Sequence, residues 1–190
     1  MGLLSKLTAW IGVKKQNVNV LVVGLDNSGK TTILNHLKPK EIQATEVVPT
    51  VGFNVERFQT KNLGFVAFDM SGQGRYRNLW EHYYRDSQGI IFVVDSTDRL
   101  RLAVAKDELE QLLQSKEIGS RKIPILFFAN KMDERGAQTA VEVSQALGAD
   151  RIKNKPWHIG ASCALTGEGL QEGIDWLSNA IKDYISSARK

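Results

Sequence analysis

Gly24-Leu25-Asp26-Asn27-Ser28-Gly29-Lys30-Thr31 carries the spacing G-x-x-x-x-G-K-[ST], with which a chain grips phosphates. Its glycines let successive backbone N–H groups close around an oxyanion. Lys30 can then reach the β- and γ-phosphates, and the Thr31 hydroxyl can bind Mg2+. The apolar run Val18-Asn19-Val20-Leu21-Val22-Val23 before the motif reads as a strand, and Thr31 to Leu37 after it as the start of a helix. The motif therefore stands in the strand–loop–helix context it needs. The chemistry implied is capture of a nucleoside polyphosphate.

Four further segments decide which nucleotide and what for, and each falls at a strand end, where ligands of open α/β sheets gather. Asp69-Met70-Ser71-Gly72-Gln73 closes the run Leu63–Met70. Asp69 can hold Mg2+ through water, the Gly72 N–H can bond a γ-phosphate, and Gln73 can orient an attacking water. Asn130-Lys131-Met132-Asp133 follows the apolar run Ile123–Ala129. The Asp133 carboxylate can accept paired hydrogen bonds from guanine N1–H and its exocyclic amine, a donor pair that adenine lacks. Asn130 would buttress the phosphate loop, and the Lys131 stem would lie over the base. Cys163-Ala164-Leu165 follows Trp157–Gly160, so the Ala164 N–H can donate to guanine O6, while Cys163 reads as a small buried side chain. In Pro49-Thr50-Val51-Gly52-Phe53, Thr50 can add a second Mg2+ ligand when a γ-phosphate is present and let go when it is absent. Each segment alone has a plainer reading as a turn or a strand entry. Together, in this order, they describe a guanine-nucleotide switch.

The elements that must position these residues follow from periodicity. Gly52–Gln59 and Leu63–Met70, separated by Thr60-Lys61-Asn62, predict an antiparallel hairpin. Gly89–Asp95, Ile123–Asn130 and Trp157–Gly160 read as buried strands. Leu102, Ala105, Leu109 and Leu112 recur at helical spacing, as do Leu170, Ile174, Leu177, Ile181 and Ile185. This alternation predicts right-handed crossovers and an α/β, three-layer P-loop fold, with a mostly parallel six-stranded sheet, one antiparallel hairpin strand, and helices on both faces. No repeat or linker interrupts it.

At 190 residues the chain suits one α/β core rather than two. A formal charge of +4 permits attraction to anionic lipid, but no basic run with interleaved aromatics appears, so no nucleic-acid partner is expected. Cys163 is the only cysteine, which excludes an internal disulfide and fits a reducing, cytoplasmic compartment. No apolar run approaches membrane-spanning length, and Met1 to Gly12 lacks the features of a signal peptide. On a helix, Leu3, Leu7, Trp10 and Ile11 share one face, with Leu4 beside them and Lys6, Lys14 and Lys15 nearby. The division expected is an N-terminal amphipathic helix over residues 1–16, suited to a bilayer interface, and a nucleotide-binding domain over 17–190. Gly2 is a candidate for myristoylation, although Lys6 stands where that motif prefers Ser or Thr.

Over nearly its whole length the chain resembles the Arf family of small GTPases. The resemblance is carried by Gly24–Thr32, Pro49–Phe53, Asp69–Gln73, Asn130–Asp133, Cys163–Ala164, Asn78-Leu79-Trp80 and Gly169-Leu170…Trp176-Leu177. The stretch Asp69–Tyr84 is most similar to the ciliary branch of that family, the one linked to the BBSome coat. The resemblance implies a GTP/GDP and Mg2+ site that also includes Thr32. It implies slow GTP hydrolysis without an activating protein, an exchange factor, a coat-like effector, and a monomer resting at a membrane surface or ciliary base. An N-terminal helix would be tucked away with GDP and released to membrane with GTP as the hairpin slides in register. The chain departs from the family at Ser71, usually glycine, at Phe68, usually tryptophan, and at Leu165, usually polar. The exposed effector triad would then be Phe53, Phe68 and Tyr83. Two other readings stay open at this point. One is a small-molecule kinase, which needs neither Thr50 nor Asp133. The other is a GTP-dependent scaffold in which Gln73 is idle.

Overall fold

In the computed structural model, residues 15–188 are described, and the amphipathic stretch 1–14 with Gly2 lies outside them. Strands β1 (Gln16–Val23), β3 (Leu63–Met70), β4 (Gly89–Asp95), β5 (Ile125–Asn130) and β6 (Trp157–Ser162) run parallel. β2 (Phe53–Gln59) pairs antiparallel with β3, and the order across the sheet is β2-β3-β1-β4-β5-β6. Helices α1 (Lys30–Leu37), α2 (Leu102–Gln114), α3 (Lys116–Gly119), α4 (Ala140–Leu147) and α5 (Leu170–Ala188) connect or cover the strands. This is the expected architecture, including the single antiparallel strand.

Alternation along the central strands builds both faces. Leu21, Val23, Ile90, Phe92, Val94, Ile125, Phe127 and Ala129 pack on one side with Leu102, Ala105, Leu109 and Leu112 of α2 and Val143 and Leu147 of α4. Val20, Val22, Ile91, Val93, Leu126 and Phe128 pack on the other with Ile33 and Leu34 of α1 and Leu170, Ile174, Leu177 and Ile181 of α5. Because side chains alternate with period two, strands buried on both faces read as unbroken apolar runs. Each such side chain is worth about 1.5–3 kcal/mol on burial, so the strand ends that carry polar residues sit on a stiff platform.

The observed elements depart from the expectation in several places. β5 begins at Ile125 rather than Ile123, because Pro124 has no N–H for the ladder and offers only its carbonyl, to Ile90. β6 continues to Ser162, carried past the apolar run by pairing Ala161 with Ala129 and Ser162 with Asn130. The spacing analysis does not reach α4, whose two turns start from a capping box between Thr139 and Glu142. The connection after β3 folds as tight turns over Gly74–Tyr83, bringing Trp80 back into the core.

Candidate functional site

The phosphate loop runs from Gly24 to Gly29 between β1 and α1. Gly29 takes φ 95°, a left-handed value that favours glycine, and a Cβ there would overlap the Asn130 amide. Lys30 is buried, and its ammonium donates to the Gly24 and Leu25 carbonyls at 3.1 and 2.8 Å. Burial lowers its pKa to about 8. Phosphate oxygens would supply negative charge that offsets this desolvation and favours the ammonium. Asp26, Asn27, Gly29, Lys30, Thr31 and Thr32 line a cleft of ≈ 380 Å³, together with Thr50, Gly72 and Gln73.

Three oxygen-bearing side chains distant in sequence meet at one edge of that cleft. Thr31 Oγ1 and Thr50 Oγ1 lie 2.9 Å apart, and Asp69 Oδ2 accepts from them at 2.7 and 3.2 Å. Asp69 is fully buried, and burial pushes its pKa up against the hydrogen bond from Thr31 and the charge of Lys30. Among the described residues its other oxygen, Oδ1, is buried without a partner, as is Ser28 Oγ. An all-oxygen set with an unsatisfied carboxylate oxygen suits a small hard cation such as Mg2+, and Thr31, Thr50 and Asp69 are the residues that would hold it. The expected grouping of Thr31, Thr50 and Asp69 is present in full.

Gln73 lies beside this set, half-buried, with its Oε1 accepting from Arg75 Nε at 3.2 Å. Gly72 abuts the phosphate loop so closely that a Cβ would overlap the Asp26 nitrogen and the Leu25 carbonyl.

At the other end, Asn130 closes β5 and is buried. Its Nδ2 donates to the Ser28 carbonyl at 2.9 Å, the buttress expected from sequence. Its Oδ1 accepts from Ser162 Oγ at 3.2 Å and from the Ala164 amide at 3.0 Å. The Ala164 amide, aimed by the sequence reading at guanine O6, is thus engaged by Asn130, and binding a base through it means sharing it. Lys131 takes φ 65°, and its ammonium meets Asp95 Oδ2 at 2.6 Å. Burial works to raise Asp95, but hydrogen bonds from Lys131 and Thr97 hold the carboxyl below its ordinary value. Asp133 is exposed, and Cys163 is a buried free thiol.

The aromatic triad also assembles. Tyr83 packs against Phe53 (ring centroids 5.0 Å apart) and Phe68 (4.7 Å), with Phe53 42% exposed. Lys15 departs from its expected place among lipid-facing lysines, since its ammonium donates to the Thr60 carbonyl in the hairpin turn at 2.7 Å. Sequence reasoning missed Asp95, although its position at the end of β4, beside the other ligand-bearing strand ends, was a usable signal. It also missed the internal bonds of Gly74–Tyr83, which no local pattern announces.

The profile of the ADP-ribosylation factor family matches residues 3–181. The chain belongs to that family. Over 182 residues it is 62% identical to ADP-ribosylation factor-like protein 6 of Danio rerio, covering 96% of this chain and 98% of that one. Over 189 residues it is 51% identical to the Caenorhabditis elegans protein of the same name, covering both fully. The structure of the Arl6 BBS3 small GTPase from Trypanosoma brucei, with bound GppNp, superposes with a TM-score of 0.82 at 43% identity, covering 89% of this chain and 99% of that one. As an Arf-family small GTPase, this chain binds GTP and GDP with Mg2+, hydrolyses GTP, and works with effectors, exchange factors and activating proteins. Among the described residues no helix is long and apolar enough to cross a membrane.

Proposed function

We propose that this chain is a switch whose GTP form associates peripherally with membrane and recruits the BBSome coat in ciliary membrane trafficking. The observation that carries the reading is the position of the aromatic triad. Phe53 lies three residues after Thr50, Phe68 directly precedes Asp69, and Tyr83 ends the segment that begins at Gly74. Phe53, the exposed member, and the partly buried Phe68 and Tyr83 are therefore each connected along the chain to a residue of the phosphate site. A change in phosphate count that reorders Thr50 or Gly72 must move the surface a partner reads. The 62% identity to a protein named ADP-ribosylation factor-like protein 6 supports the ciliary branch. The apolar face Leu3, Leu7, Trp10 and Ile11 supports membrane contact, with Gly2 as a candidate acyl site.

In hydrolysis, Gln73 orients a water in line with the γ-phosphorus. The water oxygen bonds to phosphorus, the bond to the β–γ bridging oxygen breaks, and the water proton leaves with the phosphate product. Lys30 and the loop amides hold the β- and γ-phosphates, and Thr31, Thr50 and Asp69 supply the cation site. When bound there, Mg2+ neutralises charge that develops on the phosphate oxygens. Asp133 selects guanine, Asn130 stiffens the loop, and Lys131, held by Asp95, covers the base. Pro49–Phe53 contains no arginine to act in cis, and in this reading an activating protein brings one in trans.

The test is capture of purified BBSome on liposomes by protein loaded with GDP or with a non-hydrolysable GTP analogue. Capture only in the triphosphate form, lost in Phe53→Ala, supports the proposal. Equal capture in both forms, or none in either, overturns the coat assignment.

A further inference from the structure

The Ser71–Gly72 and Gly72–Gln73 peptides are each held from behind by a side chain of the segment that follows them. Trp80 Nε1 donates to the Ser71 carbonyl at 3.1 Å, and Arg77 Nε donates to the Gly72 carbonyl at 2.9 Å. A trans peptide is planar, with its C=O and N–H pointing in opposite directions. Fixing the Ser71 carbonyl therefore aims the Gly72 N–H, the group read as the γ-phosphate donor. Fixing the Gly72 carbonyl aims the Gln73 N–H and with it the start of the Gln73 side chain.

Trp80 is anchored by burial in the core. Arg77 is anchored by charge. Its Nη1 pairs with Glu108 of α2 at 2.5 Å, with both side chains mostly buried, and its Nη2 stands 4.0 Å from Asp26 of the phosphate loop. Asp26 is in turn held by Arg101 at 3.1 Å. A single planar guanidinium thus spans the peptide that carries Gln73, the helix behind it and the phosphate loop in front. Lysine cannot reproduce this, because its ammonium is a point charge and not a fork.

We propose that Arg77 is a positioning residue for triphosphate recognition, setting the Gly72–Gln73 peptide plane through its simultaneous bonds to the Gly72 carbonyl and Glu108 while Trp80 sets the Ser71–Gly72 plane. The inference rests on the reading of Gly72 and Gln73 as γ-phosphate and water-orienting groups. Its consequence is differential. GDP makes no use of Gln73 or of the Gly72 amide, and Arg77 holds Gly72 from its carbonyl side, so loss of Arg77 shortens the bound lifetime of the triphosphate more than that of the diphosphate. A purely structural arginine would shorten both together.

The experiment measures release of fluorescent GDP and a fluorescent non-hydrolysable GTP analogue, with Mg2+ present, from the full chain, Arg77→Lys and Arg77→Gln. Melting temperatures are taken alongside. The expected result is a triphosphate lifetime that falls roughly tenfold in both variants, the size of one lost charge-assisted hydrogen bond, with a much smaller change for GDP. Arg77→Lys keeps a charge beside Glu108 and melts close to the parent, so it answers the question even if Arg77→Gln fails to fold. A parent-like ratio of lifetimes in Arg77→Lys, or equal shortening of both, overturns the proposal. If the parent itself releases both nucleotides at one rate, the underlying switch reading fails as well, and that control separates the two failures.

Discussion

Asn130 and Thr50 stand at opposite ends of the site and are held in opposite ways. Asn130 sits at the end of a strand buried on both faces, and its amide makes three hydrogen bonds to Ser28, Ser162 and Ala164. Thr50 sits in an irregular connection between α1 and β2, and among the described residues its side-chain bonds are to Thr31 and Asp69. At the base end the Asn130 side chain is satisfied by the protein itself, although Ser96 Oγ, beside Asp95, and Gln138 Oε1 are buried with no partner among the described residues. At the phosphate end Asp69 Oδ1 and Ser28 Oγ are likewise buried without partners among the described residues. The difference lies in the fastening: Thr31, Thr50 and Asp69 bond one another at the cleft edge, while Asn130 ties β5 to the phosphate loop and to Ser162 and Ala164, so the phosphate end is the one its ligand completes. Which base is bound is thus built into the fold, and which phosphate count is bound becomes a conformational variable.

The largest effect that can break this division is at Asp133. Asp133→Asn should cut affinity for guanine nucleotides by about a thousandfold, because the donor pair on the base loses its acceptor. Di- and triphosphate should suffer alike, as competition binding with GDP, GTP and ATP will show. Next is Gln73→Leu, for which hydrolysis in the presence of an activating protein should fall about a hundredfold in single-turnover assays. Unimpaired stimulated hydrolysis would remove Gln73 from the mechanism.

Much of the base end was legible in the chain, and the reason is local. Asn130 to Asp133 is a contiguous motif after an apolar strand, so its geometry follows from where β5 stops. The phosphate end was legible in its members, Thr31, Thr50, Asp69 and Gln73, but not in its fastenings. Arg77 and Trp80 bond to carbonyls of Gly72 and Ser71, and a carbonyl carries no residue signature. Asp95 is separated from Lys131 by the whole of α2, α3 and β5, so only the parallel pairing of β4 with β5, Asp95 beside Asn130, brings them together. The helix α4 escaped because two turns offer too short a period to stand out.

Two smaller effects sharpen the comparison. Thr50→Ala removes a ligand available to the triphosphate state, so release of a GTP analogue should quicken about tenfold with Mg2+ present while GDP release scarcely changes. Chelating Mg2+ should erase that difference between variant and parent. Asp95→Ala frees Lys131, and for a partly exposed ion pair the release of both nucleotides should quicken about threefold, equally. Unequal quickening would mean that the base end senses phosphate count after all.

Amide hydrogen exchange on the full chain, loaded with Mg2+ and either GDP or a non-hydrolysable GTP analogue, tests the central claim most directly. The account predicts unchanged exchange over Asn130–Asp133 and Ser162–Ala164, with slower exchange over Val47–Phe53 and Ser71–Tyr83 in the triphosphate form. Equal change at both ends, or none at either, would contradict it.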